Sequence, residues 1–100
     1  MVQATTPTFV LNLPDTVDLT QAANVYFALR QGCVLIEKTS DDLTIEPHTV
    51  YVALSQAETL RLATGMAKIQ LNWTYADGTR ACTDIVTVDV LQNLLLEVLV

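Results

Sequence analysis

The amino-acid sequence predicts an all-β fold, an immunoglobulin-like antiparallel β-sandwich of about seven strands with one short helix. Short runs in which apolar and polar residues alternate recur at intervals of roughly ten residues, and turn-forming residues separate them. A parallel α/β sheet would need several crossover helices, which the sequence does not offer. An open barrel is the alternative architecture. The 100 residues are the size of one domain, so we expect a single sandwich domain over residues 1–100.

The first part of the chain predicts three strands. Residues 7–13 form the first strand, which ends at Pro14, and residues 24–31 form the second. Gly32 then leads directly into residues 33–38, so the second and third strands form a hairpin, followed by a polar loop at residues 39–42. The two-residue period of a strand places these residues inward: Phe9, Leu11, Leu13, Val25, Phe27, Leu29, Val34 and Ile36.

The middle of the chain predicts two further strands and the helix. A short strand at residues 43–45 is followed by a break at Pro47 and a strand over residues 49–54. Ser55, with Glu58 three residues later, forms a capping box and predicts a short helix. Gly65 is typical of the helix exit. The inward residues of the strand over 49–54 are Val50, Val52 and Leu54.

The last hairpin has the clearest signal. Residues 67–74 alternate strictly, with Trp73 on the inner face, and Asp77-Gly78 predicts a type I′ turn into a return strand. On that strand Val86, Val88 and Val90 share the inner face. The same parity extended backward would bury charged residues, so we expect a bulge or bend near residues 83–85. The face taken by Cys82 is left open.

Composition favours a protein that meets a partner. Apolar residues make up 51% of the chain and the mean hydropathy is +0.38, which is high for a small monomer. Residues 94–100 are apolar but are interrupted by Glu97 and fall short of the about 20 residues that span a membrane. The net charge of −6 repels nucleic acid and anionic lipid. Without a secretory signal we expect folding in the cytoplasm of the cell that makes the protein, with Cys33 and Cys82 as half-buried free thiols.

Catalytic, cofactor and metal sites are not predicted. His48 has no neighbouring ligands and is typical of a surface turn, and the capping role accounts for Ser55. The pair Asp41-Asp42 lies in a polar turn, where aspartate is favoured for turn formation itself. We therefore expect a protein that is not an enzyme and uses no cofactor.

Two surfaces remain as candidate binding sites. Tyr26 and Tyr51, outward on their strands, form a candidate ligand face, whereas Trp73 is expected in the core. An apolar C-terminal patch is a candidate protein interface. The alternative for this patch is a last strand buried on both faces. The candidate interface residues are Leu91, Leu94, Leu95, Leu96, Val98, Leu99 and Val100.

Several segments together carry a family resemblance. The runs at residues 18–20, 25–32, 36–38, 50–60 and 69–83 resemble the small tail- and baseplate-associated proteins of phages and prophages of Gram-positive bacteria. They are also similar to the N-terminal domain of phage baseplate upper proteins. The most distinctive parts are the segment at residues 54–59 and the hairpin around Asp77-Gly78. This chain ends at Val100, whereas baseplate upper proteins continue into further domains, which favours a stand-alone virion subunit.

The resemblance implies a non-catalytic virion protein, made in the bacterial cytoplasm, that acts by protein–protein association. Its expected partners are copies of itself, other phage tail proteins, or both, and neither nucleic acid nor a membrane. The alternative function is a carbohydrate- or peptide-binding β-sandwich that uses Tyr26 and Tyr51. Neighbouring tail genes would favour the first function, and a carbohydrate-use operon would favour the second.

Overall fold

The computed structural model describes residues 1–96 and shows the predicted all-β sandwich. A short helix, α1 (Gln56–Leu60), and two 3₁₀ turns, Leu19–Gln21 and Ser40–Asp42, interrupt the strands. The eight strands are β1 (Thr8–Asn12), β2 (Ala22–Gln31), β3 (Val34–Thr39), β4 (Thr44–Ile45), β5 (Thr49–Ala53), β6 (Gly65–Tyr75), β7 (Arg80–Cys82) and β8 (Val86–Val90).

The strands form two antiparallel sheets. The smaller sheet has the order β1-β5-β4. The larger sheet has the order β3-β2-β6, and β7 and β8 pair in succession with the other edge of β6. The hairpin predicted between residues 24–31 and 33–38 is confirmed as β2–β3, with Gly32 in the left-handed region at φ 56°.

The core lies between the two sheets. The predicted alternation is confirmed on β2, β5 and β6, whose inward residues are almost fully buried. Phe9 of β1 stacks on Phe27 of β2 across the gap, with ring centroids 6.3 Å apart. Trp73 is 3% exposed, as expected for a core residue, and its Nε1 donates to the Tyr75 hydroxyl at 3.0 Å.

Helix α1 is fixed by its capping box, as predicted. The Glu58 backbone N–H donates to Ser55 Oγ at 3.2 Å, and the Ser55 N–H donates to Glu58 Oε1 at 2.9 Å. The helix ends at Leu60, before the glycine at position 65 that the sequence placed at its exit. Gly65 instead begins β6, with φ 124°.

The turn between β6 and β7 differs in type from the expected one. A type I′ turn needs positive φ at both central residues, but among residues 1–96 only Ala4, outside this turn, combines positive φ with a side chain. Gly78 donates to Tyr75 O at 3.0 Å, and Tyr75 donates to Thr79 O at 2.9 Å. The loop therefore has three residues, a tight turn followed by Gly78 at φ 89°. The predicted positive φ at Gly78 is confirmed, and the type I′ assignment is wrong.

The bulge expected near residues 83–85 is present. β7 pairs Asn72 with Cys82, whereas β8 pairs Ile69 with Val86. Two residues of β6 therefore face three residues of the return strand, so one residue is extra. Val88 and Val90 pack toward the core as predicted, whereas Val86, also predicted inward, is 51% exposed beside the gap between the sheets. Cys82 faces solvent.

Candidate functional site

The predicted C-terminal interface residues are exposed as far as the structure describes them. The exposed fractions are 56% for Leu91, 93% for Leu94, 49% for Leu95 and 52% for Leu96. We refer to these four residues as the C-terminal leucines. Val98, Leu99 and Val100 lie outside the described residues. The alternative of a last strand buried on both faces is wrong for residues 91–96, because β8 ends at Val90 and the leucines after it are exposed.

The start of this segment is held in place by the N-terminal residues. Gln3 donates its backbone N–H to Leu91 O at 3.0 Å, and its buried side-chain Nε2 donates to Leu62 O at 2.6 Å. Asn93 Nδ2 donates to Gln3 O at 2.9 Å, and Asn93 Oδ1 accepts the Leu95 N–H at 3.1 Å. Hydrogen bonds to the N-terminal residues therefore hold the start of the segment that carries the exposed leucines.

Tyr26 and Tyr51 do not form one ligand face. Tyr26 lies on the outer face of the larger sheet and is 42% exposed. Tyr51 lies between the buried Val50 and Val52 on β5, so it faces outward from the smaller sheet. The two rings are therefore on opposite sides of the sandwich, because outward residues of two packed sheets point away from each other.

Sequence reasoning missed a depression of mixed polar and apolar lining on the outer face of the larger sheet. Its volume is about 660 Å³. Residues from four strands line it, among them Tyr26, Arg30, Lys68, Gln70, Asn72 and Arg80. Strand parity had placed Arg30 and Lys68 outward, but no local pattern showed that β2 and β6 are neighbours. We refer to this surface as the concave face.

The concave face gathers positive charge in an acidic protein. Arg30 lies directly opposite Lys68 in the sheet, and Arg80 donates to Asn72 Oδ1 at 2.9 Å through Nη2. Directly opposed like charges destabilise a sheet. Glu37, on the neighbouring strand β3, lines the same depression.

Two carboxylates with shifted pKa values serve turns. The Thr20 hydroxyl and backbone N–H both donate to Asp18 and hold its pKa below the usual range, which fixes the 3₁₀ turn at Leu19–Gln21. The backbone N–H and hydroxyl of Thr79 do the same for the pKa of Asp77. Both aspartates are capping groups in loop geometry, where aspartate is favoured.

The other polar residues singled out in the sequence also lie in structural contacts. His48 Nδ1 is 2.6 Å from Val17 O, which ties two loops together. Asp42 Oδ2 accepts the Thr39 backbone N–H at 3.3 Å, whereas Asp41 is exposed. Over residues 1–96, no group of three or more His, Cys, Asp or Glu side chains is arranged to hold a metal ion.

Cys33 and Cys82 are free thiols, as predicted, but both are exposed instead of half-buried. Cys33 follows the glycine turn of the β2–β3 hairpin. Cys82 faces solvent because the bulge lies after it, so the inward parity of β8 does not extend to it. Within the part of the chain that the structure describes, no helix is long and apolar enough to cross a bilayer.

Comparison with known proteins found no protein-family profile, no curated protein sequence and no solved structure that matches the chain.

Proposed function

We propose that this protein is a non-catalytic assembly module that works by binding protein surfaces, as a structural subunit of a phage or prophage tail or baseplate. The observation that carries the proposal is the group of four exposed C-terminal leucines at one end of the sandwich. The resemblance of the sequence to small tail- and baseplate-associated proteins supplies the biological setting.

Burial of the C-terminal leucines against another protein surface is energetically favourable. Each leucine that becomes fully buried contributes roughly 1.5–3 kcal/mol. Adjacent exposed leucines of this kind are typical of an interaction surface. The group contains no charge from Leu91 to Leu96, so covering it would not bury a charged side chain of this segment.

The test compares the 100-residue chain with a variant that ends at Asn93. We expect the 100-residue chain to self-associate with increasing concentration in light-scattering mass measurements. The shortened variant should keep its circular dichroism spectrum and remain monomeric, because residues 94–96 contribute little to the core. A 100-residue chain that is strictly monomeric at high concentration, and binds no tail component, would contradict the proposal.

The phage setting has its own test. The protein should co-purify in fixed stoichiometry with one or more proteins encoded by adjacent tail genes when they are expressed together. Neighbouring genes for carbohydrate use, with no tail genes, would favour the second candidate function.

The second candidate is a binding module for a carbohydrate or peptide, and the concave face supports it. An exposed aromatic ring beside amide and guanidinium groups is typical of sugar- and peptide-binding surfaces. Tyr26→Ala should abolish binding to a glycan or peptide array. Tyr51→Ala is the matched control, because that ring lies on the other side of the sandwich. Equal effects of the two variants would exclude the concave face.

A further inference from the structure

The outer edge of β1 is an unused hydrogen-bonding edge. Leu54 donates to Pro7 O at 3.0 Å and Leu13 donates to His48 O at 2.8 Å, so the odd-numbered residues of β1 bond to β5. Antiparallel pairing alternates, so the N–H and C=O groups of the even-numbered residues point away from β5. In the described structure β1 pairs only with β5. The backbone groups of Thr8, Val10 and Asn12 are therefore free to pair with another strand.

The other sheet edges carry features that block strand addition. Beside β3, the Arg61 side chain donates to Leu35 O at 3.3 Å. β4 has only two residues. The edge formed by β7 and β8 is broken by the bulge and carries Arg80 and Asp89. Short strands, bulges and charges are the usual protections of an edge. β1 has none of these, since its sequence Thr-Phe-Val-Leu-Asn is uncharged and regular.

An apolar groove runs along this free edge. It has a volume of about 370 Å³ and lies between the two sheets, on the side where β1 faces β6 and the bulge. Leu11, Ile69 and Leu71 supply apolar side chains to its floor. Val10 and Val86, each 51% exposed, lie along its sides. A strand added to β1 would therefore gain backbone hydrogen bonds and bury apolar side chains together.

We propose that the free edge of β1 accepts the C-terminal leucines of a second copy of this chain as an added strand. This inference rests on the proposed function and names its contact. In an extended strand Leu94 and Leu96 share one face, which fits the apolar groove. The segment is uncharged up to Leu96, as is β1 itself.

The donor is a second copy because none of the four C-terminal leucines of the same chain lines the groove. Asn93 is hydrogen-bonded to Gln3, before β1 begins. Leu96 lies three residues further on, at most about 10 Å. The groove reaches Leu13, beyond the far end of a five-residue strand that is about 17 Å long. Reciprocal exchange closes a dimer, and onward donation closes a ring.

The first experiment blocks the acceptor edge. Val10→Lys places a charge on the exposed edge without removing a buried side chain, and Met66→Lys is the matched control, since Met66 is 55% exposed on the other sheet. We expect Val10→Lys to weaken self-association by at least about tenfold and Met66→Lys to leave it unchanged. Circular dichroism checks that both variants are folded.

The second experiment locates the donor, in a background with Cys33→Ser and Cys82→Ser. With Leu94 and Leu96 in the groove, Leu95 shares the outward face of Val10, which lies opposite Tyr51 in the sheet. A mixture of Val10→Cys protein and differently tagged Leu95→Cys protein should therefore oxidise to a mixed disulfide dimer, and Met66→Cys with Leu95→Cys should not. If the 100-residue chain associates but Val10→Lys associates equally well and the mixed disulfide is absent, the β1 inference fails and the assembly function stands. If the unsubstituted chain does not associate at all, the assembly function fails.

Discussion

The two lateral sides of the sandwich are built in opposite ways. On the side of β3 and α1, side chains close the gap: Lys38 Nζ lies 2.8 Å from Glu58 Oε2, and Gln31 exchanges two hydrogen bonds with the backbone of Ala63. We refer to this as the closed side. On the side of β1 and β8, the open side, a groove remains and the backbone of β1 has a free edge. Side chains cover the closed side, whereas on the open side the free backbone groups of β1 are available to pair with a strand of another chain.

Ser40 shows how closely the closed side is fastened. Its Oγ accepts the Val25 backbone N–H at 2.8 Å and donates to Val25 O at 3.3 Å. Near the start of β2, a side chain thereby takes the place of a neighbouring strand. The open side has no equivalent along β1 within the described residues. Both sides have apolar residues next to the core. They differ in whether polar side chains are placed to hydrogen-bond the exposed backbone groups of the edge strand.

The largest effect is expected at Phe9 and Phe27, which stack on each other across the gap between the two sheets. Phe27 is fully buried, so Phe27→Ala should lower the free energy of unfolding by about 3–5 kcal/mol. Phe9 lies on the open-side strand and is half-buried, so Phe9→Ala should cost less than half as much. Urea denaturation measures both, with Phe27→Leu as a substitute if the alanine variant does not fold. Equal losses would contradict the weaker packing of β1.

The ion pair between Lys38 and Glu58 on the closed side should make the stability of the fold depend on pH. Partial burial acts to raise the pKa of Glu58, but hydrogen bonds from Lys38 and Ser55 outweigh it and hold the pKa below its ordinary value of 4.5. A lowered pKa stabilises the fold above that pH, and the stabilisation is lost as the pH falls through the folded-state pKa. Glu58→Gln should lower stability at pH 7 and flatten its fall below pH 4.5.

Urea denaturation of both proteins at neutral and acidic pH checks this prediction. Glu37→Gln is the control, because Glu37 is an exposed acid on the same strand as Lys38. A Glu58→Gln protein with the same pH dependence as the unsubstituted chain would show that the pair does not fasten the closed side.

A smaller effect is expected at the turn that leads into the open side. Gly78 has φ 89°, and a Cβ there would meet no atom within 4 Å, so only the backbone conformation opposes a side chain. Gly78→Val should lower the free energy of unfolding by about 1 kcal/mol or more. Ala76→Val, in the same loop, is the control. An unchanged melting temperature for Gly78→Val would contradict the turn geometry.

The smallest effects are expected at polar residues away from both sides. Asp41→Asn should change stability by less than about 0.5 kcal/mol. His48→Ala removes the contact to Val17 O and should cost roughly 0.5–1.5 kcal/mol. Neither variant should alter self-association. A loss of assembly in either variant, at unchanged circular dichroism, would place a functional contact outside the open side.

Local patterns in the sequence predicted which residues face the core. Alternation identified the inward faces of β2, β5 and β6, and the Ser55–Glu58 capping box identified the helix. These features depend on residues close together in the chain, where the strand period and side-chain capping act directly. The bulge was also predictable, because the parity of Val86 extended backward would have turned the charged Arg80 and Asp84 inward.

Long-range pairing explains what the sequence did not predict. The outward direction of Tyr26 and Tyr51 followed from parity, but their separation depends on which sheet each strand joins. The concave face likewise depends on the pairing of Arg30 with Lys68, which are far apart in the chain. The turn type at Gly78 depends on the register between Tyr75 and Thr79, so the dipeptide alone was insufficient.

The extra residue between β7 and β8 marks a position at which the chain can tolerate a one-residue deletion. Without Asp84 the return strand would pair with β6 in one continuous register, and Val86 would still lie opposite Ile69. A one-codon deletion at this point would therefore leave every neighbouring side chain on its present face, whereas a deletion inside β2 would reverse half a strand. Natural variants that differ in length by one residue are expected at this position, and we expect them to fold.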